Sequence, residues 1–499
     1  MSINANGSLT AGNIDIRNYS SNVDSEVNLN GAALKATKAV KGNDGNIWLT
    51  ATNKVVVDGS TLQTVNYSNS ASSVDGGNIE ITSGNKASVK TSNLNAVGNI
   101  KVTSTKKDAV VDNAILKAVK DITITAAEKA SAQNNANLTA KNITIKGKTG
   151  QAVNSTLKAD ENVNIISTEG DYAWTNKSNI TAGKDINVTA KNGYLLLTDS
   201  VMTAKNNINL TSKDSVTSTK LAGSTFNADK DVNVESTAES ILLTSTSQFA
   251  PKQNLNLKAA KNVEINATND LTTEKTNITA GKNVFLTSKE GNVNVKDTTK
   301  FLAAEKIYIQ GAKDVKTTGT VDMNNIQTNI TAGKDVDVVL ANVGNRQNGI
   351  VAKAANDMKI TTPGTLSVSS LISGNNMEIN ANRVIAGLPY TQEQKLNNDY
   401  ERSYIEVGGE FTSNVPNDNY DITLSGDPTN DAKYNQRHHI QYGEDEKILL
   451  VNKRPIDDQA TDPNLNGIDD GGEADVINPG DIVDPSTPSI PEIPSDPSD

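Results

Sequence analysis

The chain has 499 residues, of which only 35% are hydrophobic and 4% aromatic, with five Phe and two Trp. A globular enzyme of this length builds its core from more large side chains, so any core here is thin and made of small and β-branched residues. The absence of Cys excludes disulfides and thiolate chemistry, and a single adjacent pair of His (His438, His439) leaves little for a triad or a multi-His metal site.

The net charge of −11 belongs to one tail, because residues 455–499 hold twelve Asp or Glu and no Lys or Arg. The long body is close to neutral, at about +1. No apolar run approaches about 18 residues, so no transmembrane helix is expected. The start, Met1-Ser2-Ile3-Asn4-Ala5-Asn6, lacks the basic and apolar regions of a signal peptide.

From the first residues to about 385 the chain repeats. Asn179-Ile180-Thr181-Ala182-Gly183-Lys184-Asp185-Ile186-Asn187-Val188 returns at 277–286 and at 329–338. Its alanine recurs at 96, 118, 140, 159, 182, 204, 228 and 250, in steps of 19 to 24 residues. Later copies fall at 280, 303 and 332, with wider steps before 280 and 332, which implies loops or extra half-coils there.

Within a unit, short segments alternate apolar and polar residues, as in Ile186-x-Val188, Ile208-x-Leu210 and Val232-x-Val234. Period two predicts strands with one inward and one wet face. Gly, Asn and Asp mark the corners, where left-handed backbone costs least. A unit of about 22 residues buries its apolar face only by stacking on its neighbours, in parallel and in register. The expected fold is therefore all-β: a right-handed parallel β-helix over 1–385, of about 17 coils and on the order of 80 Å long. Ile143, Ile145, Ile186, Val188, Ile208, Leu210, Val232 and Val234 are expected in its core.

Residues 386–454 break the repeat and hold six of the eleven Tyr and both His. They are expected to form a cap over the last coil or a small β-rich binding module. Residues 455–499, with eight of the thirteen Pro, read as a disordered acidic linker.

Few motifs carry chemistry. Asp462-x-Asn464-x-Asn466-Gly467 with Glu473 fits a calcium-loop expression, but no helix flanks it, and a solvated linker is the expectation. Gly147-Lys148-Thr149 lacks the first Gly of a phosphate-binding loop, since Asn142 stands there. His438-His439 beside Arg437 has no further ligand spacing. The most regular charged feature is a lysine just before the second strand of the unit. Stacking would set Lys141, Lys184, Lys205, Lys230, Lys282 and Lys334 in one or two columns, a candidate surface for an acidic glycan. Lysines that keep a fibre soluble are the competing reading.

The Asn-Ile-Thr-Ala-Gly-Lys-Asp-Ile-Asn-Val phrase and its repetition over about residues 1–384 resemble the shaft of filamentous haemagglutinin-type adhesins, including the leukotoxin-family filamentous proteins. The resemblance implies a secreted or cell-surface bacterial fibre, exported by two-partner secretion through an outer-membrane transporter and contributing to virulence. Its implied partners are host-cell surface glycans or proteins, or other bacteria, with no nucleic acid and no membrane insertion. Members of that family begin with a signal peptide and an Asn-Pro-Asn-Gly-type secretion motif. Neither is found here, so the expectation is either a piece of a longer chain or a misplaced start. No catalysis, metal or cofactor is expected. The alternative is a β-helical polysaccharide lyase or hydrolase, which needs carboxylates and a cation brought together from neighbouring coils.

Overall fold

A computed structural model describes residues 2–20, 25–37, 45–65, 77–246, 248–343, 349–386, 404–416, 420–422, 441–442 and 448–451. Nearly all of it is β-strand, stacked as a solenoid of about 16 coils. The one helical element among the described residues is a 3-10 turn, Thr219–Leu221. The acidic linker, the calcium-loop match and His438-His439 lie outside the described residues.

Through the first half, each coil has three strands. One belongs to a 13-stranded sheet (sheet II), as Ile186–Ala190 does. Two belong to a folded 18-stranded sheet (sheet I), as Tyr194–Thr198 and Val201–Ala204 do. The bend between those two is made by a residue with positive φ, such as Asn154, Lys177 or Asp199. A buried serine follows it. The N–H of Ser178 donates to Oγ of Ser200 one coil on (3.3 Å), and that of Ser200 to Oγ of Ser224 (3.0 Å).

Sheet I ends near Pro251. Two further sheets replace it: sheet III from Val216 on, and sheet IV from Leu271 on. As far as Gly311, sheet III follows sheet II in each coil, the place that the first ladder of sheet I holds earlier.

Neighbouring coils pair in parallel and in register, as Ile186, Asn187 and Val188 do with Ile208, Asn209 and Leu210. The period-two pattern thus places whole columns of like residues. All eight expected core residues are buried to 1% exposure or less. One continuous apolar core runs from Ile14 to Val415, mostly Ile, Val, Leu and Ala. Its few aromatics include Phe226 and Phe249, stacked inside at 5.3 Å.

Parallel pairing runs past residue 385. Tyr404–Val407 pairs with the strand ending at Ser373, Phe411–Asn414 with Met377–Asn380, and Tyr420–Ile422 with Arg383–Ala386. These three form a further coil. Ile448–Val451 then lies antiparallel on Tyr404–Val407, and Gln441–Tyr442 lies antiparallel on it in turn. That change of direction ends the parallel stack and covers an otherwise open strand edge.

Candidate functional site

The repeated Ala-Gly-Lys-Asx phrase forms a corner, and its geometry recurs. In the copy at 179–188, the N–H of Asp185 donates to Oδ1 of Asn162 in the coil below (3.2 Å). In the second copy Asn283 does the same to Asn262 (3.2 Å), and in the third Asp335 to Asp314 (3.4 Å). The glycine of each copy lies hard against the chain below. A Cβ there would run into the carbonyl of Asp160, Ala260 or Ala312 respectively.

The three copies nevertheless occupy different edges of the rod. The first turns from sheet I into sheet II. The second turns from sheet II into sheet III, and the third from sheet III into sheet IV. Ala280 therefore stacks on Ala259, Ser236, Ser212 and Ala190, not on the column of Ala182. Ala332 stacks on Gly311, Ser288 and Ala267. By this stacking, the step from Ala182 to Ala280 is four coils plus one strand ladder, and the step from there to Ala332 is two coils plus one ladder. The wider spacing in the sequence thus adds one strand ladder, a third of a coil, where loops or extra half-coils were expected. The alanine series also slips at its end, because the residue paired with Ala228 is Pro251 and not Ala250.

This frame shift scatters the six lysines. Lys141, Lys184 and Lys230 share one column, interrupted by Glu161 and Asn206. Lys205 stands one residue earlier, in the column of Gly183. Lys282 lies on the second edge and Lys334 on the third. All six side chains are exposed. The two on the first edge that approach each other are tied to the carboxylate between them. Glu161 meets Lys184 at 3.1 Å and Lys141 at 3.7 Å. The bond from Lys184 holds the Glu161 carboxyl below its usual range, helped by the charge of Lys141. The other four make no ion pair among the described residues.

Elsewhere, too, ion pairs join one coil to the next: Lys101 to Glu80 (3.2 Å), Lys258 to Glu235 (2.7 Å), Lys261 to Glu239 (2.8 Å) and Lys359 to Glu378 (3.0 Å). Exposed pairs of this kind contribute little each, about 0–1 kcal/mol. Three of these four lie on the outward faces of sheets II and IV, so they balance charge on the faces rather than on the lysine edges.

Carboxylates and a cation do meet on sheet IV. Lys316 bonds Asp314 at 2.9 Å and feels Asp335 and Asp337 of the adjacent coil. Lys316 and Asp337 are exposed on the outward face of the sheet. Among the described residues, no three His, Asp or Glu are grouped to hold a metal ion, and no helix is long and apolar enough to cross a membrane.

Sequence reasoning missed the outward aromatics. Tyr172, Trp174 and Tyr194 cluster on the first ladder of sheet I, with Lys220 of the 3-10 turn 3.9 Å above the Tyr194 ring. Phe285 and Tyr308 stack at 4.7 Å on the outside of sheet III. Their positions in the alternating pattern, on the polar parity, were the signal available.

Comparison with models of known protein families, with curated proteins and with solved structures matches this chain to none.

Proposed function

We propose that this chain is the structural shaft of a secreted or surface-exposed bacterial filamentous adhesin, which attaches cells to host surfaces or to other bacteria. One observation carries the reading: a single thin core runs through the parallel coils from Ile14 to Val415. Such a body is stiff and extended, and it offers similar polar surfaces coil after coil. That suits spacing and weak multivalent contact better than one deep site. The resemblance of the repeated phrase to haemagglutinin-type shafts supports the same reading, and export through an outer-membrane transporter goes with it.

The specific contacts fall to host-surface glycans or proteins. The lysine edges are one candidate for an acidic glycan, with Lys141, Lys184 and Lys230 on the first edge, Lys205 beside them, and Lys282 and Lys334 on the other two. The test measures attachment of the full chain to epithelial cells and to immobilised heparin over a range of salt. Retention that falls with salt and with Lys141→Ala, Lys184→Ala and Lys230→Ala together supports the lysine edge. Attachment that ignores those changes assigns adhesion to another surface, and no attachment at all counts against the adhesin reading.

The second reading is a polysaccharide lyase or hydrolase, and Asp314, Lys316 and Asp337 favour it by their approach from adjacent coils. Turnover of pectin-like or glycosaminoglycan substrates that is lost in Asp337→Asn would establish it in place of the shaft.

A further inference from the structure

Outward rows on this rod are polar almost everywhere. Sheet II carries a row of asparagines, and sheet IV carries Asn294, Lys316, Asp337, Lys359 and Glu378. Outward apolar residues elsewhere, such as Ile115, Val201 and Leu302, stand singly. One face differs. On the first ladder of sheet I, Trp174 and Leu196 are paired neighbours on the outward side. On sheet III, which takes the same place in the coil, the outward row reads Thr217, Leu242, Glu264, Phe285, Tyr308, Asn329 and Val351 in successive coils. Trp174 is only 9% exposed, and the others of this row are half-buried although they point away from the core.

Within sheet III the stripe is straight, because each member is in register with the next, and Trp174 and Leu196 precede it at the same place in the coil. From the coil of Trp174 to that of Val351 it spans roughly 40 Å at the usual strand spacing. It holds no basic residue, and Glu264 is its one ionisable carboxylate. A mainly apolar row with a fixed axial repeat is matched along its whole length only by a surface with the same repeat. A second copy of this rod has that repeat. The other faces carry the cross-coil ion pairs and free lysines that oppose apolar pairing. With a width of about 10 Å the stripe would bury roughly 400 Å² per copy. That is about half of what a stable complex buries per partner, so the pairing is weak and depends on local concentration.

We propose that this stripe is a lateral self-association surface, by which two rods of this chain lie side by side. The inference does not rest on the adhesin reading, since it concerns the rod alone. Glu264 lies within the stripe and has to be desolvated when rods pair, so its neutral amide should pair better.

The experiment uses the full chain. Sedimentation equilibrium measures association, and small-angle scattering separates side-by-side pairs, which thicken the cross-section, from end-to-end pairs, which lengthen it. The expected result is a thickened dimer, weakened about tenfold or more in Phe285→Ser/Tyr308→Ser and strengthened several-fold in Glu264→Gln. Leu242→Lys leaves the ring pair intact and tests the same surface by placing a charge in it, should the double variant fold poorly by circular dichroism. A monomer at all concentrations to roughly 1 mM overturns the proposal. So does an end-to-end dimer, or a dimer untouched by Leu242→Lys. Retention on cellulose that the stripe variants abolish, with no self-association, would assign the stripe to an uncharged polysaccharide instead and equally overturn it.

Discussion

The side-chain amide of Asn233 donates to Oδ1 of Asn209, 2.7 Å away in the coil below. Asn209 bonds Asn187 in the same way, Asn187 bonds Asn164, and upward Asn256 bonds Asn233 and Asn277 bonds Asn256, all at 2.6 to 2.8 Å. Six amides on the outer face of sheet II thus form one half-buried chain of hydrogen bonds, in which each inner member both donates and accepts. Removing an inner member leaves one donor and one acceptor without partners, which water only partly restores. Asn209→Ala is expected to cost about 1–2 kcal/mol. Asn277→Ala at the ladder's end breaks one bond and should cost about half as much. Denaturant melts of the two variants check the ratio, and equal losses would argue against a cooperative ladder.

Inside the core, Phe226 is fully buried and stacks on Phe249. Met202 and Phe249 flank it in the neighbouring coils, and the backbone ladders hold the walls in place, so little collapse into a cavity is open to them. Phe226→Ala is expected to destabilise by about 3–5 kcal/mol. Phe226→Leu should cost much less, because it keeps most of the volume. Chemical denaturation monitored by circular dichroism reads both.

The fold was legible because its signals are local and repeated. Ile186, Val188, Ile208 and Leu210 announce strands by alternation, and identical spacing announces stacking. The lysine arrangement was not legible to the same depth. Which edge a corner lands on depends on the summed length of every intervening turn, and a few extra residues per coil move Lys282 and Lys334 to new edges while the local phrase stays the same. The outward stripe was hidden for another reason. Trp174, Phe285 and Tyr308 lie far apart in sequence, and a low aromatic content says nothing of their alignment. Parity within each strand places them outside, but only the register between coils puts Leu242, Glu264, Phe285 and Tyr308 in one line. Past residue 385, seventeen undescribed residues separate Ala386 from Tyr404, so the continuation of the solenoid was masked by a long interruption of the pattern.

Lys177 occupies the bend between the two strands of sheet I with φ of 47°, and its side chain is exposed. Asn113 and Asn154 fill the same kind of bend elsewhere. Left-handed backbone crowds a long side chain's Cβ against the carbonyl, while Asn tolerates it. Lys177→Asn is therefore expected to raise stability by about 0.5–1 kcal/mol, and Lys177→Val to lower it by more than that. Thermal melts of the two variants should move in opposite directions.

The rod's response to acid follows from its cross-coil carboxylates. Glu161 and Glu274 are held below the usual carboxylate range chiefly by hydrogen bonds from Lys184 and Lys296. Asp335 is held low first by the amide of Asn356 and then by the N–H of Asp357, and Glu378 first by Asn380 and then by Lys359. Each group binds its proton less readily folded than unfolded. Its contribution is complete above the unfolded values, 4.5 for Glu and 3.8 for Asp, and is lost as pH falls through the lower folded ones. Glu264 works in the opposite sense, since burial raises it and its ionisation is disfavoured in the fold. The four depressed groups outnumber it, so stability should be flat near neutrality and decline as pH drops below about 4.5. Asp335→Asn removes one titrating group but leaves an amide oxygen that can still accept from Asp357. Its loss of stability relative to the parent should therefore be largest near pH 7 and shrink as pH falls toward 3. Denaturant midpoints across pH 3–7 for the two proteins test this. A difference that grows on acidification would show that the Asp335 carboxylate is not stabilising the coil.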